Sequence, residues 1–470
     1  MSYRVEIMRL FGTSGIRGRT FKEITPHLAE RIGRAFATYL GRDGKVVVGR
    51  DTRHGAETIE YALVAGLTAA GIDVLRCGEI PTPALAYSAG KSSAKGAVMI
   101  TGSHTPADRI GIIPMLADGS YLHGKGAEEM EKNILEGPHD LGLVQEPAHG
   151  GKIATLGNKP IESYKRFLLE RANKELIRNA RFRVLVDSGN GTACHFAAEV
   201  LQALGCDVVS LNDQPSGNPN RPPEPRAETL QDTLMHVRKE KCDIGIAFDL
   251  DADRILFLSP ENVISENLIG TILADSILAK TEAESCLVLP INTSGLILSV
   301  TQKHVGTKII FCKIGQPATI DTVKQHPSCV FAFEESGKYY FINEGILWTD
   351  GGLTAIKILE ILAQKETNLH TLANEYPKYT SLTQSINIPE GQGKELYSKI
   401  IGEFKDYLKN HESKLLEVDG LRANFPDGSW LMIRPSGTEP LIRIVADAPS
   451  EVRARSLLET GLEIVKNTLP

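Results

Sequence analysis

The chain has 470 residues, of which 42% are apolar and 23% charged, an ordinary globular balance rather than a disordered one. Lysine and arginine number 52 against 58 aspartates and glutamates, a net charge of −6, and aromatics make up only 6%. A general nucleic-acid or anionic-membrane binder leans basic, and a single-strand binder also needs stacking aromatics, so no nucleic acid or membrane partner is expected. At about 150 residues per domain the length predicts roughly three domains.

The seven cysteines are scattered and none forms a CxxC pair, which argues against a zinc knuckle or a disulfide framework. The opening MSYRVEIMRLFGTSG has no apolar stretch suited to a signal peptide. No segment approaches the roughly 18 apolar residues of a membrane span. A soluble protein of a reducing cytoplasm is the expectation.

In chain order, short β-branched runs alternate with helical stretches, the mark of parallel α/β architecture. The runs recur in threes. First strands are predicted at 45–53 (KVVVGRDTR), 182–190 (FRVLVDSGN) and 285–294 (SCLVLPINTS). Second strands, opened by glycine, fall at 71–78, 205–212 and 306–313; third strands fall at 96–104, 243–251 and 329–336. Such periodicity predicts tandem copies of one unit. Each third strand ends in a polar cluster: Ser-His, a carboxylate triplet, and Glu-Glu-Ser. Ligands of open α/β sheets gather beyond the carboxyl ends of strands, so the three ends are expected to face one cleft. The last hundred residues differ: a charged helix over 393–416, two strands (WLMI and LIRIVADA) and a closing helix from Glu451 predict a small α+β domain. Domains are thus expected at 1–151, 152–254, 255–367 and 368–470, four rather than three.

FDLDADR (248–254) is the strongest motif. On an extended segment, alternate residues point one way, so Asp249, Asp251 and Asp253 are expected to aim at one point. Three anions there call for a cation, and hard oxygen ligands suit Mg²⁺. An EF-hand is excluded, because Arg254 and Pro260 occupy its required Gly and Glu positions. A dehalogenase-type phosphatase, with Asp249 as nucleophile and Asp251 as acid, is a second reading, though Asp253 departs from its pattern. In ITGSHTP, Ser103 and His104 follow a buried-looking strand; alone, Ser103 reads equally as a helix cap. In IRPSGTEPLIR, Arg434, Ser436, Thr438 and Arg443 surround Gly437. A glycine turn with hydroxyls and arginines suits a phosphate monoester, the alternative being a polar turn between two edge strands. Arg17 in FGTSGIRG, and after it the GRDTR loop (49–53), are further anion-binding candidates, with a simple turn as the alternative for either. FEESGK offers Glu334 and Ser336 for hydroxyl binding and Lys338 as proton donor or charge stabiliser, with a helix-capping turn as the alternative.

Taken together and in order, GTSGIRG, KVVVGRDTR, EIPTPAL, the Ser-His loop, DxDADR, the ESG loop, DGG and RPSGTEP resemble the α-D-phosphohexomutase family nearly end to end, with an archaeal flavour. That resemblance implies three related α/β domains with mixed, mainly parallel sheets and a fourth α+β domain around one central cleft. It implies a phosphoserine at Ser103, and Mg²⁺ held by Asp249, Asp251 and Asp253 with Ser103. Arg17, His104, Arg254 and Lys338 join the catalytic set. Sugar hydroxyls go to Glu334 and Ser336; the non-reacting phosphate goes to Arg434, Ser436, Gly437, Thr438 and Arg443. The implied substrate is a hexose 1- or 6-phosphate, as in phosphomannomutase and phosphoglucomutase, with a sugar bisphosphate as intermediate and activator and closure of the fourth domain during turnover. Phosphoglucosamine mutase, phosphopentomutase and a phosphosugar-binding protein with little turnover are the alternatives; a monomer or homodimer is expected. Departures from the family's usual residues are GSHTP for ASHNP, Ile113 for a lysine, Leu250 and Phe333 for glycines, and Lys338 for a histidine.

Overall fold

The computed structural model describes residues 10–12, 14–136, 150–281, 284–389, 393–436 and 440–469, with Lys394 described by its backbone alone. By contact density the chain divides into two units. The first holds the residues up to Ile264 together with Lys338–Tyr340 and Gly345–Leu369; the second holds Ser265–Gly337, Phe341–Glu344 and His370–Pro470.

In the first unit, one sheet contains β1 (Ile16–Arg19), β2 (Lys45–Arg50), β3 (Asp73–Glu79), β4 (Gly96–Ile100), β5 (Arg109–Leu116) and β6 (Ile153–Thr155), in the order β1-β5-β4-β2-β3-β6. Its other sheet contains β7 (Arg183–Asp187), β8 (Asp207–Leu211), β9 (Ile244–Phe248), β10 (Ile255–Leu258) and β11 (Val263–Ile264), in the order β11-β10-β9-β7-β8. In the second unit, β12 (Cys286–Pro290) lies between β13 (Lys308–Cys312) and β14 (Cys329–Glu334). All three sheets place the first predicted strand between the second and the third, every pair parallel. Side chains of these central strands are covered on both faces, as in Val46, Val47 and Val48 or Leu287, Val288 and Leu289. The tandem repeat expected from the sequence is therefore present strand for strand. Antiparallel neighbours that the sequence did not announce extend two of the sheets, β5 on β4 and β10 on β9.

Some helix starts carry side-chain caps. Ser265 Oγ accepts the Leu268 N–H ahead of the helix Glu266–Leu278, and Asp350 caps Gly351–Gln364 through the Leu353 N–H at 2.8 Å. After β15 (Lys338–Tyr340), the C-terminal domain is an antiparallel sheet of β16 (Thr380–Asn387), β17 (Lys414–Leu416), β18 (Leu421–Asn424), β19 (Trp430–Pro435) and β20 (Leu441–Ala448), in the order β16-β20-β19-β18-β17. The helices Gly393–Leu408 and Glu451–Thr468 cover one face, where Ile400, Phe404, Leu457 and Val465 pack on Leu431, Ile433, Ile442 and Ile444. Two expectations are corrected here. The helix predicted to 416 stops at Leu408, and the last three of those residues form β17. The strands either side of RPSGTEP are interior, not edge, strands, because β16, β17 and β18 extend the sheet around them.

Candidate active site

Strand β4 is buried along its whole length and delivers Thr101, Gly102 and Ser103 at its carboxyl end. No helix follows; a turn leads into β5, so the cap reading of Ser103 falls. Ser103 takes a left-handed backbone (φ +50°), an unfavourable conformation for a non-glycine residue that the surroundings must hold. Its N–H donates to Thr101 Oγ1 at 2.7 Å. The Ser103 hydroxyl donates to Asp249 Oδ2 at 2.8 Å and lies 3.4 Å from His104 Nδ1. Arg17 on β1 donates to the Ser14 carbonyl (3.1 Å) and the Gly102 carbonyl (3.2 Å), which places it at the same loop.

Asp249, Asp251 and Asp253 lie beyond β9, fully buried, each with an oxygen within 4.8 Å of the other two. Their convergence does not come from an extended strand. The chain turns here, with the Ala252 N–H on the Asp249 carbonyl (3.3 Å) and Ala252 left-handed at φ +57°. One oxygen of each aspartate has a protein donor: Ser103 for Asp249, the Thr82 hydroxyl (2.6 Å) for Asp251, and Lys338 Nζ (2.7 Å) for Asp253. Arg254 N–H reaches Asp249 Oδ1 at 3.2 Å. The remaining oxygens, Asp251 Oδ1 and Asp253 Oδ1, are buried without a hydrogen-bond partner. Two orphaned carboxylate oxygens in one buried cluster are an expensive arrangement in isolation, and a hard divalent cation satisfies both. The donor set fits a metal.

Electrostatics point the same way. Burial, then the neighbouring carboxylates Asp251 and Asp253, push Asp249 well above the ordinary carboxylate range. Burial and Asp253 push Asp251 up to about 6. Burial would also raise Asp253, but Lys338 and Arg254 outweigh it and hold that group low. Burial, followed by the cations Arg254, Arg17, Lys338 and Arg53, lowers the His104 imidazole, which is therefore uncharged at neutral pH.

The first unit thus brings together Ser103, His104, Arg17, the three aspartates, Arg254 and Lys338. In the second unit, Glu334 ends β14 and Ser336 lies in the turn after it, not at a helix start. Phe333 beside them is fully buried, and the helix opposite carries Gly270, where a Cβ would come within 2.5 Å of the ring. That glycine makes room for the bulky Phe333. Arg434 and Arg443 face each other across β19 and β20; Arg434 Nη1 contacts Asp419 at 3.3 Å, and the Ser436 N–H donates to the Leu441 carbonyl at 2.9 Å. Gly437 and Thr438 lie outside the described residues. Ile113 and Leu250, which depart from the resemblance, are both buried, Ile113 opposite Met99 on β4. Thr82 was not singled out from the sequence, although it stands in the EIPTPAL segment after β3.

Family models for phosphoglucomutase/phosphomannomutase match the chain in series: alpha/beta/alpha domain I over residues 8–139, domain II over 162–262, domain III over 265–379 and the C-terminal domain over 386–462. A phosphoglucomutase/phosphomannomutase of Thermococcus kodakarensis is 34% identical, over 98% of this chain and 99% of its own. A protein of Methanopyrus kandleri named as a probable phosphoglucosamine mutase is 32% identical, over 97% and 98%. Among solved structures, a phosphoglucomutase/phosphomannomutase family protein of Burkholderia thailandensis superposes with a TM-score of 0.85 at 25% identity, covering 97% of this chain and 98% of its own. The fold also matches N-acetylphosphoglucosamine mutase of Aspergillus fumigatus, solved with GlcNAc-6P and magnesium, with a TM-score of 0.61 at 14% identity over 98% and 96%. Four consecutive domain matches and two archaeal relatives aligned end to end lead to one conclusion: the chain belongs to the phosphoglucomutase/phosphomannomutase family of α-D-phosphohexomutases and is an isomerase that moves phosphate within phosphosugars.

Proposed function

We infer that the enzyme interconverts hexose 1-phosphates and 6-phosphates of the glucose and mannose series, using Ser103 as phosphoryl carrier and a sugar 1,6-bisphosphate as intermediate and activator. The observation that carries this reading is the Ser103 hydroxyl held 2.8 Å from Asp249 at the edge of a buried carboxylate triad with unpartnered oxygens. In the first half-reaction the bond between phosphorus and Ser103 Oγ breaks as the bond to a sugar hydroxyl oxygen forms. The hydroxyl proton ends on Ser103 Oγ, relayed by the neutral His104 imidazole, whose Nδ1 stands 3.4 Å away. The second half-reaction reverses this flow with the other phosphate. Phosphoryl transfer of this kind is mainly positioning and charge stabilisation. Arg17, Arg254 and Lys338 are the charges of the reacting end. Glu334 and Ser336 take the sugar hydroxyls. Arg434, Ser436, Gly437, Thr438 and Arg443 take the non-reacting phosphate. Asp249, Asp251 and Asp253 would hold Mg²⁺, which when bound would supply positive charge at the reacting phosphate.

A second substrate, glucosamine phosphate, is favoured by the name of the Methanopyrus kandleri relative. Coupled assays with glucose, mannose and glucosamine 1-phosphates, each primed with its bisphosphate, separate the two readings. Ser103→Ala is expected to lower turnover by about 10³-fold or more, since the covalent carrier is gone. Full retention of mutase rate by Ser103→Ala would reject the phosphoserine route; phosphate release that survives Ser103→Ala but not Asp249→Asn would mark an aspartyl phosphatase instead.

A further inference from the structure

Arg53, the last residue of GRDTR, is buried to 3% exposure beside β4. A guanidinium has five N–H donors in a planar fork, and here each one meets an oxygen. Nε donates to Asp51 Oδ2 at 3.2 Å. Nη1 serves the carbonyls of Arg109 (2.8 Å) and Pro106. Nη2 serves those of Ser103 (2.7 Å) and Thr105 (2.6 Å). Four carbonyls of the loop over 103–109 therefore converge on one cation, an arrangement whose dipoles repel without it. Asp51 completes the frame: its Oδ2 accepts the Thr101 hydroxyl (2.7 Å) and the Gly102 N–H (3.2 Å), and Thr101 in turn accepts the Ser103 N–H.

Gly102 supplies an independent observation. A Cβ at this position would lie 2.4 Å from Arg53 Cζ, 2.6 Å from its Nε and 2.7 Å from the Arg109 carbonyl oxygen. The guanidinium occupies the space that any side chain at 102 would need.

We propose that Arg53 is the positioning residue of the reaction, fitted to Gly102, and that it holds the strained loop so that the Ser103 hydroxyl stays against Asp249. With four donors engaged by the loop and the fifth by Asp51, it has none left for substrate phosphate. The assignment rests on reading Ser103 as the phosphoryl carrier.

The test uses the full chain with Mg²⁺ and either glucose or glucosamine 1,6-bisphosphate, following Ser103 phosphate by mass spectrometry. Steady-state kcat and KM for the 1-phosphate turned over, and the melting temperature, are measured in parallel. Arg53→Lys leaves three donors for five acceptors, and Gly102→Ala displaces the guanidinium without removing its charge. Both are expected to slow Ser103 phosphorylation and kcat by about 10- to 100-fold, the scale of a misplaced reacting group, with KM within about twofold of the parent. If Arg53→Lys fails to fold, Gly102→Ala decides alone. A parent enzyme that takes no phosphate on Ser103 defeats the underlying reading. A labelled parent with both variants labelled at its rate, or a raised KM at unchanged kcat, overturns the assignment of Arg53.

Discussion

Replacing Gly270 by alanine tests how the second unit accommodates Phe333. The new Cβ would stand 2.5–2.6 Å from three atoms of the Phe333 ring, against the ~3.5 Å of an ordinary carbon–carbon contact. Ring or helix must therefore yield by about 1 Å. Phe333 is fully buried and packs against Phe331, with ring centroids 6.0 Å apart, so neither direction is open. Overpacking of this kind costs about 1–3 kcal/mol. Alanine returns about 1 kcal/mol through its better helix propensity within Glu266–Leu278, which leaves a net loss of about 1 kcal/mol. In a Phe333→Leu background the clash goes and the propensity gain remains, so the same substitution becomes stabilising. Urea unfolding of the four proteins in this double-mutant cycle measures the coupling, expected near 2 kcal/mol. Because Phe333 adjoins Glu334, Gly270→Ala is also expected to lower kcat/KM about tenfold. A cycle without the reversal of sign would refute the packing argument.

Two more outcomes follow from charge burial. Burial and the neighbouring carboxylates hold Asp249 and Asp251 above their unfolded values, so their contribution to stability is complete below about pH 4 and lost as pH rises, for Asp251 through about 6. Mg²⁺ must displace those protons, and its stabilisation, about 3 kcal/mol at a hundredfold excess over Kd, should be larger at pH 8 than at pH 5.5; equal thermal shifts at the two pH values would contradict this. Arg422 lies 2% exposed over the Trp430 ring (4.2 Å) and donates to the Ile291 and Thr293 carbonyls at 2.6 and 2.8 Å. Arg422→Met should cost about 3 kcal/mol through the carbonyls it strands, read by calorimetry; a loss below about 1 kcal/mol would show that the pocket re-forms around methionine.

The first and third strands of the repeats were legible because a strand covered on both faces reads as a continuous apolar run, as at Val46 to Val48, while the half-exposed second strands were marked by the glycine that opens each. Strand β16, TSLTQSIN, was not: most of its residues are exposed, so neither alternation nor an apolar run marks it. The three aspartates were identifiable by residue type, but alternate spacing on a strand and a turn through a left-handed Ala252 give the same letters. The hydrogen bonds of Thr82 and Lys338 to the triad span 169 and 85 positions, and nothing local in the chain announces a pairing that only the folded backbone creates. Gly102 and Gly270 were equally silent, since the reason for each glycine is a side chain far away in sequence.

The shared strand order of the three α/β sheets has a consequence for how such an enzyme can arise and change. Each copy keeps the same buried frame, while the loop beyond its third strand carries something different: a serine, a carboxylate triad, or a glutamate with a hydroxyl. A frame repeated three times offers three loops that need not do the same work. Each loop can then change in composition without endangering the frame. The frame is supplied three times over, and much of the chemistry is carried by three short segments.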